Sequence, residues 1–355
     1  MKAVILVGGE GTRLRPLTYT TVKAMVPILN KPFIEHMIRY LNRYGINDIV
    51  LAMGYNPEII RNHFIANPQP DVNLIYNIEN TPLGTAGPVK LAEKQLSEEE
   101  SFLVLNGDIF TDLNLSDMIN FHRIKKAMVT IALTPVEDPT QFGVVEIDSQ
   151  QRIKRFLEKP KREEAAGNLI NAGIYILDYE VMKYITDNKK VMFEYDVFPQ
   201  LVSKGEPVFG YVADTYWIDM GTPEKYLKLN SDLLLGKCSF IRLQAENINP
   251  QSQIPSDTRL IPPVLIDKGC IIGKNVELKG PLVIGSDCVI SDNVIIEDSI
   301  LWQRVNIGKG TVIRKCIIAS NSNIDGDEYI NNTIVCQNTS VNHPALANSI
   351  IKTGG

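Results

Sequence analysis

The chain has 355 residues, more than one ordinary domain uses, so two units are expected. With 44% hydrophobic and 22% charged residues it has ample material for a core, and a net charge of −5 excludes a broad electrostatic grip on nucleic acid or anionic membrane. No run approaches the ~20 apolar residues of a membrane span, and the five cysteines, all at or beyond Cys238 and without a C-x-x-C pair, fit a reduced, cytoplasmic protein with structural thiols.

Residues 3–7, "AVILV", read as a buried strand, too short for a secretory h-region. A loop follows with Gly8, Gly9 and Gly11, then Arg13, Arg15 and Lys23. "FIEHMIRYLNRYG" carries Phe33, Ile34, Met37, Ile38 and Leu41 on one helical stripe, with Gly45 as its stop. Next come a strand "DIVLAM", a helix "PEIIRNHF", a strand "NLIYNI", a helix "GPVKLAEKQL" and a strand "FLVLNGD". This βαβα rhythm to about residue 235 predicts an α/β fold: a Rossmann-like, mixed and mostly parallel sheet sandwiched by helices. Ligands of such sheets sit at the carboxyl ends of strands. The glycine loop and "NGD" (106–108) both fall there, so both are expected to face one crevice.

Residues 236–260 dissolve into Pro, Asn, Gln and Ser and read as a linker. From 261 to 355 the period changes. Ile266, Ile272, Leu278, Ile284, Ile290 and Ile296 recur six apart, and after a slip Ile307, Ile313, Ile324 and Ile330 continue. A six-residue step is neither helical nor simply alternating; it predicts a hexapeptide solenoid, each hexad one side of a triangular coil. Cys270, Val276, Cys288, Val294 and Thr311, four places after the aliphatic position, are small side chains for its corners or interior. Cys270 and Cys288 are expected to stack on adjacent coils.

Gly9-Glu10-Gly11 invites a dinucleotide fingerprint, but Leu14 occupies the third glycine's place, and no G-x-x-x-x-G-K-[ST] loop is present. Glycines that let backbone N–H groups approach, followed by Arg13, Arg15 and Lys23, suit a phosphate-rich anion. A tight turn with solvated basic residues is the plain alternative. Asp108 and Asp219, hard oxygen donors from distant segments, could clamp one Mg²⁺ or be simple turn residues. His36, His63 and His122 lie in helical stretches and read as packing or surface residues.

The stretch "GGEGTRLRPLT…K…P…NKP" resembles the signature of the sugar-1-phosphate nucleotidylyltransferases (NDP-sugar pyrophosphorylases). The resemblance continues through "PLGTAGP" (82–88), "NGD", "FGVVEID" (142–148), "FLEKP" (156–160), "NAGIYIL" (171–177) and "WIDMGTPEKYL" (217–227), and members with an appended hexapeptide left-handed parallel β-helix resemble the whole chain. "PLGTAGP" and "FGVV" are most similar to the mannose-1-phosphate guanylyltransferases. The resemblance implies transfer of a nucleoside monophosphate from a triphosphate, GTP favoured, to a sugar 1-phosphate with release of pyrophosphate. It implies Mg²⁺ on Asp108 and Asp219, and Arg13 and Lys23 on the β and γ phosphates. Nucleotide contacts fall to Gly8, Gly9, Gly11, Thr12, Asn80, Gly84 and Thr85. Lys159 is expected on the sugar phosphate, Glu158 on sugar hydroxyls, and Gly143 and Asn171 complete that pocket. One departure stands out: Val22-Lys23-Ala24 replaces the usual prolines on both sides of the lysine. Competing expectations are a glucose-1-phosphate enzyme using dTTP, UTP or ATP, a non-catalytic sugar-nucleotide sensor, and acyl transfer through His343. A homo-oligomer with a solenoid contribution is expected, without nucleic acid or membrane partners.

Overall fold

In β1 (Ala3–Val7) every residue but Leu6 is buried, because both faces of the strand are covered and alternation disappears. The computed structural model describes residues 1–97, 100–164, 167–342, 346–347 and 350–351. Two compact units result: residues 1–10 with 34–219, and residues 11–33 with 220–355. Chain order alone places residues 11–33 within the first 235, whereas packing groups them with the carboxyl-terminal part.

The first unit holds a nine-stranded sheet. Besides β1 it contains β2 (Asp48–Met53), β3 (Asn73–Ile78) and β4 (Ser101–Asn106). A short strand β5 (Ile109–Thr111) leaves the sheet, and β6 (Val129–Pro135), β7 (Gly143–Ile147), β8 (Ile153–Glu158), β9 (Leu169–Asp178) and β10 (Val208–Val212) rejoin it. The order is β8-β7-β9-β4-β1-β2-β3, with β6 beside β9 and β10 beside β6. Strands β4, β1, β2 and β3 are mutually parallel, while β9 runs antiparallel to β4. The amino-terminal end of β9 therefore lies at the edge where β1, β2, β3 and β4 end. That edge carries the glycine loop, "NGD" and "NAG". Outside the sheet, β11 (Trp217–Asp219) pairs antiparallel with β5.

Helices α1 (Phe33–Arg43), stopped by Gly45 at φ 71°, and α2 (Pro57–Ala66) match the sequence pattern. The single helix expected over 87–96 is instead two short ones, α3 (Gly87–Leu91) and α4 (Glu93–Leu96), broken at Ala92. Helix α5 (Leu115–Lys125) is capped by Asn114, whose side chain accepts the Ser116 and Asp117 N–H groups. No helix among the described residues is long and apolar enough to cross a membrane. His36 packs on Phe110 with ring centroids 5.8 Å apart, His63 meets Glu35 at 2.7 Å and His122 meets Thr130 at 2.8 Å, so all three histidines are used in packing.

In the second unit, a helix at Pro223–Leu234 opens with Thr222 as cap, accepting the Lys225 N–H, and Pro223 in its first turn. The solenoid follows, built from three parallel ladders. Every aliphatic position of the six-residue beat is buried, and so are Cys270, Val276, Cys288, Val294 and Thr311. Ile271 pairs with Val289, which puts Cys270 and Cys288 on neighbouring rungs as expected. The slip has a structural origin. Ile266 pairs with Ile284 eighteen residues on, but Ile284 pairs with Leu301, Leu301 with Ile318 and Ile318 with Val335, seventeen apart. In the eighteen-residue coils that corner holds Pro262-Pro263 and then Gly280-Pro281, and in later coils a single left-handed residue turns it: Asp298, Lys315 or Asn332, at φ 49°, 50° and 47°. The stretch read as a linker already carries two rungs, Glu246–Ile248 and Arg259–Ile261, which pair with Val264–Ile266 and Glu277–Lys279. Its polar composition disguised them because only their alternate residues face the narrow interior. All five cysteines are buried and unbridged. His343, the residue weighed for acyl transfer, lies outside the described residues.

Candidate active site

In the first unit, the carboxyl ends of β1, β2 and β3 come together as a backbone cradle. The Gly8 carbonyl accepts the Tyr55 N–H at 3.2 Å, and the Met53 carbonyl accepts the Glu79 N–H at 2.8 Å. A Cβ on Gly8 would stand 2.6 Å from Glu79 Oε1, so only glycine lets that carboxylate close over the strand end. Glu79 also accepts the Leu83 N–H at 2.9 Å. Burial raises its carboxyl pKa, and the Leu83 N–H partly offsets this. Gly9 and Asn80 are exposed beside this cradle.

The "PLGTAGP" loop is pinned from behind: Val191 N–H donates to the Leu83 carbonyl, and Ala86 and Gly87 donate to the Val191 carbonyl. Gly84 takes a left-handed φ of 81° against this segment. Thr85, expected at the base, has its hydroxyl engaged inside the protein. It donates to Glu194 Oε2 at 2.6 Å and accepts the Phe193 N–H at 2.9 Å. What Thr85 can offer a nucleotide is therefore its backbone.

A second pocket lies over β7 and β8. Gly143 pairs with Glu158, and a Cβ there would sit 2.7 Å from Glu158 Oε2, so the glycine opens space under the carboxylate. Consecutive strand residues point to opposite faces, which would separate Glu158 from Lys159. The structure resolves this: β8 ends at Glu158, Lys159 turns left-handed at φ 46°, and its Nζ comes to 3.9 Å from Glu158 Oε1. Lys159 remains mostly exposed and Glu158 mostly buried. Asn171 donates to the Tyr175 hydroxyl at 2.9 Å and accepts the Gly173 N–H at 2.9 Å. Trp217 donates its indole N–H to the Ala172 carbonyl and packs edge-on to Phe142 at 5.5 Å.

Two residues that the sequence pattern does not single out complete this arrangement. Glu79 is one. The other, Glu194, is 8% exposed on a π-helical turn (Phe193–Val197). That turn is clamped by Phe193 stacked on Phe198 at 5.2 Å, with Tyr175 edge-on to Phe198 at 5.1 Å. Burial raises the Glu194 carboxyl pKa. Glu158 is raised too, first by burial and then by the charge of Glu194, with Lys159 opposing. A glutamate on "FEYDVFP" had no distinguishing neighbour in sequence; its partners Thr85 and Tyr175 come from elsewhere in the chain.

Asp108 follows β4 at the same edge. In the β5–β11 ribbon Asp219 stands directly across from Ile109, the residue after Asp108. Asp219 thus ends the ribbon one residue from Asp108 in register and is 8% exposed. Beside them Asn106 Oδ1 is buried with no hydrogen-bond partner among the described residues. One or two carboxylates plus substrate phosphates is the donor set Mg²⁺ takes, so these residues fit that ion.

In the second unit, Gly11 adopts φ 65° and its carbonyl accepts the Thr18 hydroxyl at 2.8 Å. Thr12 and Arg13 follow on an exposed 3₁₀ turn whose Leu14 is buried. Lys23 opens a second 3₁₀ turn, its Cβ 3.0 Å from where a Gly11 Cβ would be. Val22 and Ala24 are 1% and 3% exposed, so burial clamps both flanks of the lysine where the resembling family has prolines. Arg15 lies 5.7 Å from the Tyr19 ring.

A family model described as Nucleotidyl transferase matches residues 2–235, and one described as GMPPB C-terminal domain matches residues 260–352. The mannose-1-phosphate guanyltransferase of Aspergillus fumigatus is 36% identical over 100% of this chain and 91% of its own. That of Schizosaccharomyces pombe is 40% identical over 78% of this chain and 74% of its own. Among solved structures, HddC from Yersinia pseudotuberculosis, complexed with GMP-PN, is similar with a TM-score of 0.57 and 31% identity, covering 64% of this chain and 97% of its own.

Proposed function

The chain belongs to the nucleotidyl transferase family, and from that premise we propose that it is a Mg²⁺-dependent mannose-1-phosphate guanylyltransferase. A phosphate oxygen of mannose 1-phosphate attacks the α-phosphorus of GTP in line, the α–β bridging oxygen departs with pyrophosphate, and GDP-mannose forms. The nucleophile is already anionic at neutral pH, so no general base is needed and catalysis is positioning plus charge neutralisation. The observation that carries the reading is the common strand-end edge, which holds Asp108, the ribbon that ends at Asp219 and the Glu158–Lys159 pocket.

Asp108 and Asp219 would hold the Mg²⁺, which when bound neutralises phosphate charge as it builds in the transition state. Arg13 and Lys23 neutralise the β and γ phosphates and stabilise the leaving pyrophosphate. Gly8, Gly9, Gly11 and Thr12 offer backbone N–H groups to the nucleotide. Lys159 holds the sugar phosphate, Glu158 accepts from sugar hydroxyls, and Gly143 and Asn171 shape that pocket. Guanine presents two adjacent donors, N1–H and the N2 amino group, which one carboxylate can accept together. Adenine, uracil and thymine offer no such pair. Glu79, at the mouth of the Gly8 cradle, is the carboxylate that suits guanine, and Asn80 and Gly84 flank it. The expected homo-oligomer would use the solenoid flank, where Ile271 and Val289 stand exposed on adjacent rungs; sedimentation equilibrium decides it.

Pyrophosphate release over a panel of triphosphates and sugar 1-phosphates tests the proposal, with GTP plus mannose 1-phosphate expected fastest. Glu79→Gln should lower kcat/KM for GTP by about 10- to 100-fold, the loss expected for one charged acceptor, and narrow the preference over other triphosphates. A glucose 1-phosphate preference with dTTP, UTP or ATP would replace the substrate assignment. Nucleotide-sugar binding without turnover would make the chain a sensor.

A further inference from the structure

Within the second unit, residues 11–33 meet the 223–234 helix and the solenoid through polar contacts, some of them buried. Tyr226, fully buried on the 223–234 helix, donates its hydroxyl to the Pro27 carbonyl at 2.7 Å and accepts the Trp302 indole N–H at 2.9 Å. Trp302 directly follows a solenoid rung, Ile300–Leu301. Asn230, one turn beyond Tyr226, accepts the Leu29 N–H at 2.9 Å and donates to the Tyr226 carbonyl at 3.0 Å. Asn30 donates to the Ile284 carbonyl within a second rung at 2.9 Å, and Thr20 donates to Gln337 at 2.6 Å.

These contacts hold a conformation that the segment's own residues disfavour. Leu29 and Asn30 both have positive φ, 47° and 66°. For leucine this is a true outlier, sustained only when the surroundings over-determine it. The Leu29 N–H bond to Asn230 and the Asn30 bond to Ile284 bracket the turn that follows Lys23-Ala24-Met25. Local stiffness from proline is absent at Val22 and Ala24. The rigidity that a phosphate-gripping lysine requires therefore comes from the solenoid side.

We propose that Tyr226, Asn230 and Trp302 are positioning residues for the triphosphate: acting through residues 26–30, they hold the turn that presents Lys23, and with it the Arg13 loop. The solenoid is then a working part of nucleotide binding rather than only an assembly module. This rests on the reading of Lys23 and Arg13 as phosphate ligands given above.

The test uses the full chain with Trp302→Phe, which removes only the indole donor and a ring, and Asn30→Ala, at a half-buried position, in case the tryptophan variant folds poorly. Each should raise the Kd and KM for GTP about tenfold, the effect of unsettling one buried hydrogen bond, while KM for mannose 1-phosphate stays within about twofold. Amide exchange over residues 20–30 should quicken, with β1 and β4 unchanged. A purely structural role would lower the active fraction, so kcat would fall with both KM values unmoved; that result, or unchanged GTP affinity despite faster exchange, overturns the proposal. Binding and exchange are measured without turnover. A chain inactive on every substrate pair would therefore refute the enzymatic reading, while GTP affinity and exchange in the two variants would still decide the role of the solenoid contacts.

Discussion

The α/β unit and the solenoid bury aliphatic side chains by opposite means. In the solenoid the same residue type returns on every rung, and acidic residues return too: Asp287 and Asp327 occupy left-handed corners at φ 58° and 60°. There they complete turns, a task any Asn or Asp performs. In the α/β unit nothing repeats. Asp108, Glu79 and Glu158 each follow or end a different strand, and each meets partners found nowhere else in the chain. Chemistry needs such singular positions, because a reaction centre presents one charge distribution rather than a lattice. The meaning of an aspartate is thus set by the region that holds it.

The sharpest way to break that contrast is Asp108→Asn. It should lower kcat by about 100- to 1,000-fold, with a much smaller loss of GTP affinity, since charge neutralisation matters most in the transition state; single-turnover rates near those of the parent would end the assignment. Next in size is Ile296→Ala, which empties one rung of a core closed to rearrangement. About 2–5 kcal/mol of stability should be lost, read from urea unfolding, and a loss under 1 kcal/mol would mean that the prism can collapse around the gap. His122 gives a smaller, pH-dependent effect. Burial beside Thr130 lowers its pKa from 6.5 to about 4, an effect that Asp178 partly offsets. The unfolded chain binds the proton first, so stability is complete above pH 6.5 and declines as pH falls from there toward 4, by at most about 3 kcal/mol. His122→Gln should flatten that slope; an unchanged slope would place the acid sensitivity elsewhere. The smallest effect belongs to Asp327→Asn, expected to change stability by no more than about 0.5 kcal/mol and leave kcat alone. If it impaired turnover as Asp108→Asn does, the division between corner and catalytic aspartates would fail.

Much of the fold could be read in advance because its signals are local. The buried runs at 3–7 and 48–53, the helix stripe ended by Gly45, and the six-residue beat all depend on neighbours in sequence. The seventeen-residue coils were harder to read, since deleting one corner residue leaves each rung normal and only shifts the count. At the site, Gly8 and Asp108 could be picked out beside other glycines at strand ends, and Gly143 and the Glu158–Lys159 pair through the family resemblance. Glu79 and Glu194 could not. Glu79 is distinguished by Gly8, which yields it space, and Glu194 by Thr85 and Tyr175. Thr85 shows the converse: in sequence a plausible nucleotide contact, in space the hydroxyl that ties a buried carboxylate in place.

By itself the sequence determined the periods, and through them the two architectures, because hydrophobic spacing reports which faces are covered. It also determined the residue types that make phosphate chemistry possible. Only the tertiary structure decided which distant residues share a position. Asp219 reaches the ribbon beside Asp108, and residues 11–33 settle on the solenoid, through strand pairing and side-chain bonds between segments far apart in the chain. No local spacing encodes such encounters; they follow from the way the sheet and the coils close.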